Sequence, residues 1–289
     1  MKPETAAAFD RYIRATEAEH AADLSKGVFL VIDGLPDPAR KEAYARLRQG
    51  QLYIEPLHTK ENGHPIPIRG GLVHHWVGAI FIPGARLSEV LAVLQNYDNQ
   101  KNIYKPYVRR SKLLEHNGNK YRIYLQFYHK SIATVVINAN FDVDYATPGP
   151  TRAMSQAYST RIAEVENPDK RNEHELPVGN DHGYLWRLDN YWRVEEKDGG
   201  AYVQVESVAL TRSIPAVAAW LINPLVRSIP RSVLSSLLTA TREAVLSGQA
   251  KPRTTASWDQ LTRLNSSMGR YRDRFNPPNV SPCSVPMQK

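Results

Sequence analysis

The chain has 289 residues, 42% of them hydrophobic and 23% charged, with a formal net charge of +8. That length can bury a large core, as one big domain or one domain with additions, and the balance is that of an ordinary globular protein. The single cysteine, Cys283, excludes an intrachain disulfide and a four-cysteine zinc site, and no apolar run approaches the ~18–20 residues of a membrane span.

In chain order, MKPETAAAFDRYIRATEAEH carries charges throughout and has no apolar leader segment, so it does not read as a signal peptide. As written the chain reads as cytoplasmic; a leader removed beforehand would make it secreted or periplasmic. Residues 4–24 read as a helix with Phe9 and Ile13 on a modest apolar face. GVFLVIDGL (27–35) reads as a short strand closed at Asp33-Gly34, and PDPARKEAYARLRQG (36–50) as a helix stopped by Gly50. Residues 51–71 hold short strand-like pieces among turn residues. The segment 1–71 is therefore an N-terminal helical and extended addition packed on the main domain.

From Leu72 the pattern changes. LVHHWVGAIFIPG is a strand, and ARLSEVLAVLQNYDNQKNIY a helix with Leu87, Val90, Leu91, Leu94 and Tyr97 on one face. Strand-like runs with hairpin signals between them follow: VRRSKLLEH, then Asn117-Gly118, then NKYRIYLQFYHK and IATVVINANFDVDY. TRAMSQAYSTRIAEVE precedes a polar loop at 167–183. YLWRLDNYWRVEEK then turns at Asp198-Gly199-Gly200 into AYVQVESVALT. Last comes SIPAVAAWLINPLVRSIPRSVLSSLLTATREAVLSG, whose second half is a long helix with Val233, Leu234, Leu237, Leu238, Thr241, Ala244 and Val245 on one face. Proline breaks helical continuity, so Pro215, Pro224 and Pro230 predict a short helix, a joint at 223–230, and a long helix over 231–247. Residues 214–229 then form a mobile lid or, equally, the first part of a rigid two-part cover. Residues 249–289 are a basic, proline-containing tail with seven Lys or Arg against two Asp, read as a solvated disordered end.

A strand, a helix, about six antiparallel strands and a long terminal helix make an α+β chain whose curved sheet must cover its apolar face with that helix. The order, together with the opening AIFIPGARLSEVLAVLQNYDNQKNIYKPYV, resembles the helix-grip fold of the START and polyketide-cyclase-like (SRPBCC) superfamily over residues 72–248. The resemblance implies an internal cavity for a hydrophobic small molecule. It implies no single catalytic motif.

Strand parity suggests what faces that cavity. Ala133, Val135, Ile137, Ala139, Phe141 and Val143 share one face, and Trp186, Leu188, Asn190, Trp192 and Val194 another. The next strand reads both ways. With Val203, Val205, Ser207 and Ala209 inward, Glu206 is on the surface, the favoured reading; with the opposite parity Glu206 is a buried carboxylate and the best general acid/base candidate. The expected ligand-binding set is Tyr124, Phe141, Tyr158, Trp186, Asn190, Trp192, Glu206, Trp220, Leu234 and Leu238, with Trp220 sensing the ligand.

His74 and His75 are adjacent on a strand and point to opposite faces, and His174-Glu175 lacks the second histidine of HExxH because residue 178 is Val, so no metal is expected. No phosphate loop, GxGxxG or GxSxG elbow is present, so no cofactor is expected. The reading is thus a non-catalytic protein for a lipid, sterol or polyketide-like ligand. Its rivals are a cyclase or hydrolase working through Asn190 and Glu206, and a lipid-handling module at a membrane surface. The second rival rests on Trp220-Leu221-Ile222 beside Arg227 and Arg231, with weak contact to anionic lipid. No specific nucleic acid is expected.

Overall fold

The computed structural model describes residues 1–130, 134–213 and 216–248, with side chains undescribed at 216–228. These residues fall in one compact unit. Helix α1 (Pro3–Ser25) and helix α2 (Asp37–Arg48) are followed by the short strand β1 (Tyr53–Pro56) and a small hairpin, β2 (Lys60–Glu61) with β3 (His64–Pro65). Then come β4 (Gly71–Pro83), α3 (Leu87–Leu94), α4 (Gln100–Ile103), β5 (Val108–Asn117), β6 (Lys120–Lys130), β7 (Thr134–Gly149), β8 (Arg152–Glu166) and the two-residue β9 (His174–Glu175). β10 (Arg187–Lys197), β11 (Gly200–Arg212) and α5 (Ala216–Leu246) complete the fold. The main sheet is antiparallel in the order β1-β4-β11-β10-β8-β7-β6-β5, with β9 on the end of β8.

α5 lies across the concave face and packs on β4, β1, β11, α3 and α4. Its apolar stripe is the one legible in the sequence: Leu234, Leu238, Thr241, Ala244 and Val245 are buried. This is the helix-grip arrangement. The grip is tight at β4 because Gly78 has no side chain; a Cβ there would come 2.8 Å from Leu238 Cδ1.

Three local expectations are corrected. Residues 27–35 form no strand but a turn ending in a 3-10 segment, Val31–Gly34. The Asp33 carboxylate accepts from the backbone N–H groups of Phe29 and Leu30, which curls the chain. The helix expected over 85–104 is broken into α3, a 3-10 turn at Tyr97–Asn99, and α4. There the Asp98 carboxylate accepts from Leu113 N–H on β5, an alternative partner that a polar Asn-Tyr-Asp-Asn stretch offers and an alanine stretch would not. The joint at 223–230 is absent, since α5 is helical from Ala216 through Pro224 and Pro230 to Leu246. Each proline deletes one backbone donor, which can bend a helix without ending it when the turns on either side hold. The lid therefore lacks its hinge; residues 214 and 215, and the side chain of Trp220, lie outside the described residues.

The convex face is also covered. α1 places Phe9, Tyr12 and Ile13 against Tyr191, Val208 and Leu210, while α2 and the 29–32 turn bury Phe29, Leu30, Ile32 and Leu47 with Phe81 and Tyr202. Strands β4, β11 and β10 thus carry a core on each side. At the far margin, β5 pairs with β6 through two register shifts, between Val108 and Arg110 and between Leu113 and Glu115.

Candidate functional site

α5 stands away from the β8-β7-β6 side of the sheet, and the space between them is a cavity of about 710 Å³. The register places its floor in rows. Val143, Ala157, Asn190, Ser207 and Trp76 lie side by side across five strands, and Tyr145, Ser155, Trp192, Val205 and Gly78 form the next row. Small side chains at Ser155 and Ala157 leave room above the floor. Leu234, Leu237 and Val233 of α5 form the roof, and Ile123, Leu125, Phe127 and Phe141 the wall toward β6.

Polar groups are few and sorted by depth. Asn190 and Ser207 pair across strands mid-floor. At the inner end the Tyr97 and Tyr145 hydroxyls bond at 2.9 Å. One hydrogen bond between two hydroxyls consumes one of their two protons, so the pair keeps a proton to donate. Ser155 Oγ lies close enough to Tyr145 to influence its hydroxyl, without a well-formed hydrogen bond. Burial pushes the Tyr97 and Tyr145 hydroxyls well above their ordinary range, and Tyr104 up to about 12. These phenols are therefore neutral donors and acceptors, not nucleophiles, near neutral pH.

The outer end is ringed by His74, Lys105, Tyr107, His129, His182, Tyr184 and Arg212, with Ser213, Ile229 and Pro230 above them. Glu164 shapes one side of this mouth. Its buried carboxylate accepts from the backbone N–H of His182 and of Tyr184, and from His182 Nδ1 at 3.0 Å. Burial lowers the pKa of His74, which favours its neutral form. No Asp or Glu is among the described lining residues.

Of the residues named from sequence, Phe141, Asn190, Trp192 and Leu234 line the cavity. Leu238 is fully buried one turn further along, in the contact with Gly78, and does not line it. Tyr124, Tyr158, Trp186 and Glu206 are on other surfaces. Tyr124 turns to the convex side and donates to Asn138. Tyr158 donates to Glu17 of α1. Trp186 precedes β10, packs in the α1 core and donates Nε1–H to Asp181. The sequence reading missed Tyr97, Tyr145, Ser155 and Ala157. Tyr145 could have been found by carrying the parity of Val143 two residues further.

Glu206 is not on the surface, contrary to the favoured reading. Val203, Val205, Ser207 and Ala209 do face α5, yet the opposite parity does not reach solvent, because α1 covers it. Glu206 is 3% exposed and accepts from His20 Nε2 and His75 Nε2, each at 2.8 Å. The Tyr12 hydroxyl accepts from Thr59 N–H and lies 2.9 Å from His75 Nδ1. An ionised carboxylate can only accept, so His75 Nε2–H is the donor to Glu206. Burial opposes ionisation of Glu206, but the hydrogen bonds from His20 and His75 outweigh it and hold the carboxyl well below the usual range. Nearby, burial pushes Asp189 up to about 7, partly opposed by Arg187. This network fastens α1 to the back of the sheet and has no access to the cavity.

A curved antiparallel sheet closing on a C-terminal helix, with a hollow between the two, decides the architecture. The fold is START-like. No protein-family model matches the chain, and no curated protein matches it. Among solved structures it overlaps a STAR-related lipid transfer protein fragment from Xanthomonas axonopodis, at 18% identity over 66% of this chain and 98% of that one, with a TM-score of 0.44. It also overlaps human STARD10, at 9% identity, 75% and 84% coverage and a TM-score of 0.42. A third is the Zhui aromatase/cyclase from Streptomyces sp. R1128, at 13% identity, 64% and 98% coverage and a TM-score of 0.38. The described residues contain no group of three or more His, Cys, Asp or Glu placed to hold a metal, and no helix long and apolar enough to cross a membrane.

Proposed function

We propose that the chain binds a hydrophobic small molecule of lipid, sterol or polyketide-like kind in this cavity, without transforming it. The observation that carries the reading is the hollow itself. A space of about 710 Å³ lies within the roughly 300–1,000 Å³ typical of pockets that hold small ligands. An apolar wall with two separated polar anchors, Asn190 with Ser207 and Tyr97 with Tyr145, suits a mostly hydrocarbon ligand bearing one or two oxygen functions. The test is titration with the neutral apolar dye Nile red. The parent should bind it, and Ala157→Trp, which fills the floor, should lower affinity at least about tenfold, a change of 1.4 kcal/mol. The urea midpoint should stay near the parent's, because the new ring occupies empty space. Equal affinity in parent and variant would sink the proposal.

One arrangement favours an enzymatic reading. His182 gives its Nδ1–H to the buried Glu164 at the cavity mouth, the way a carboxylate orients a general base. Glu206 has no part in this, being on the other face of the sheet. If His182 serves as a base for hydrolysis or ring closure, His182→Ala should slow p-nitrophenyl dodecanoate hydrolysis by about a hundredfold. An unchanged rate, or none above buffer in the parent, removes this reading.

A further inference from the structure

The cavity mouth continues into a second depression, of about 390 Å³, with which it shares Lys105, Val108 and Tyr128. Lys101, Pro106 and Arg109 complete it. Three of its six lining residues are cations and none is an acid. Arg109 is paired with Asp169 at 2.8 Å and its guanidinium lies 4.7 Å from the centre of the Tyr128 ring, so its charge is partly spent and its plane is fixed. Lys101 and Lys105 are exposed and no carboxylate among the described residues forms an ion pair with either. Val108 and Tyr128 give an apolar passage from this basic seat into the hollow. Across the mouth, Arg212 donates to the backbone carbonyl of Asp181, which leaves its charge uncompensated by that bond.

An uncharged ligand would gain nothing from this arrangement, because unpaired ammonium groups beside an apolar opening attract an anion and repel none of the tail. We infer that the ligand is an amphiphile with an anionic head, a carboxylate or phosphate, seated between Lys101 and Lys105, with its apolar tail running past Val108 and Tyr128 into the cavity. This rests on the binding reading above and narrows it to a ligand class. The seat is open to solvent, so its contribution is moderate and screened by salt.

The experiment displaces Nile red from the full-length protein with three probes of equal chain length: dodecanoate, dodecyl phosphate and dodecanol. In low salt each anion should bind about five- to tenfold more tightly than the alcohol. In the double variant Lys101→Gln, Lys105→Gln that gap should shrink to within about twofold, with dodecanol unchanged. Lys26→Gln, Lys41→Gln removes the same charge from the N-terminal layer and should preserve the gap. Preference for dodecanoate over dodecyl phosphate marks a free acid as the source of the head, and the reverse marks a phosphoryl head. The seat is overturned if the alcohol binds as well as the anions, if the gap survives the Lys101 and Lys105 changes, or if the control pair abolishes it equally. Failure of all three probes to displace the dye would overturn the cavity reading as well, whereas binding of dodecanol alone would spare that reading and remove only the seat.

Discussion

Replacing Glu206 with alanine is expected to destabilise the protein by about 3–5 kcal/mol, because it leaves the buried His75 and the half-buried His20 without an acceptor and opens a void beneath α1. Glu206→Gln keeps the shape and one acceptor oxygen, and should cost about 1–3 kcal/mol. Urea unfolding at pH 7 measures both. The same variants carry a pH signature. The unfolded carboxyl titrates near its ordinary value of 4.5, while the folded one is held well below it. Stability from that difference is present above about pH 4.5 and drains away as pH falls toward the folded value. Asp189 has the opposite sign: its folded pKa is raised from 3.8 to about 7, so its contribution is fully present below 3.8, drains away as pH rises toward 7 and changes no further above it. The parent should therefore lose stability on both sides of a mildly acidic optimum. Glu206→Ala should flatten the acid limb alone. An acid limb as steep in the variant as in the parent would show that the His20-Glu206-His75 cluster does not fasten α1.

The second large effect is expected where α5 meets β4. Leu238→Ala removes a fully buried side chain and should cost about 2–5 kcal/mol. Gly78→Ala sets a methyl 2.8 Å from Leu238 Cδ1 and should cost about 1–3 kcal/mol by overpacking. The two changes act on one contact, so the double variant should be more stable than the sum of the single losses predicts, by about 1 kcal/mol or more. Strict additivity would mean that the helix is not pinned at this point.

The sequence was most readable where each strand has one dry face toward α5 and one wet face. Phe141 on β7 follows from alternation alone, as does the stripe on α5 from Leu234 to Val245. Reading failed where a strand is dry on both sides. In β11, Tyr202, Gln204, Glu206 and Val208 are buried as deeply as Val203 and Val205, so alternation has no meaning there. The ambiguity over Glu206 was itself the trace of a second layer. That layer comes from residues remote in the chain, His20 and Tyr12 among them, and no local pattern in YVQVESV announces them. Tyr97 leaves the helix face that its spacing predicts because Asp98, which breaks the helix, bonds to Leu113 on a strand later in the chain. The prolines of α5 misled in the opposite direction, since a breaker residue marks a cost and not a boundary.

The register shifts in β5 bear on how the protein behaves among many copies of itself. The outermost strands of a sheet offer unpaired backbone groups to any passing chain, and a long flat margin invites stacking into fibres. Here one margin is β1, four residues long and ending in Pro56, which has no N–H to offer. The other is β5, whose ladder is interrupted twice and whose outward side chains include Arg109, Arg110, Lys112 and Glu115. Leu114, an exposed apolar side chain on that margin, sits in the second interruption and so outside the regular pairing. A protein that keeps a greasy hollow at one end of its sheet therefore presents neither flank as a template, and crowding should not turn its sheet into a seed for aggregation.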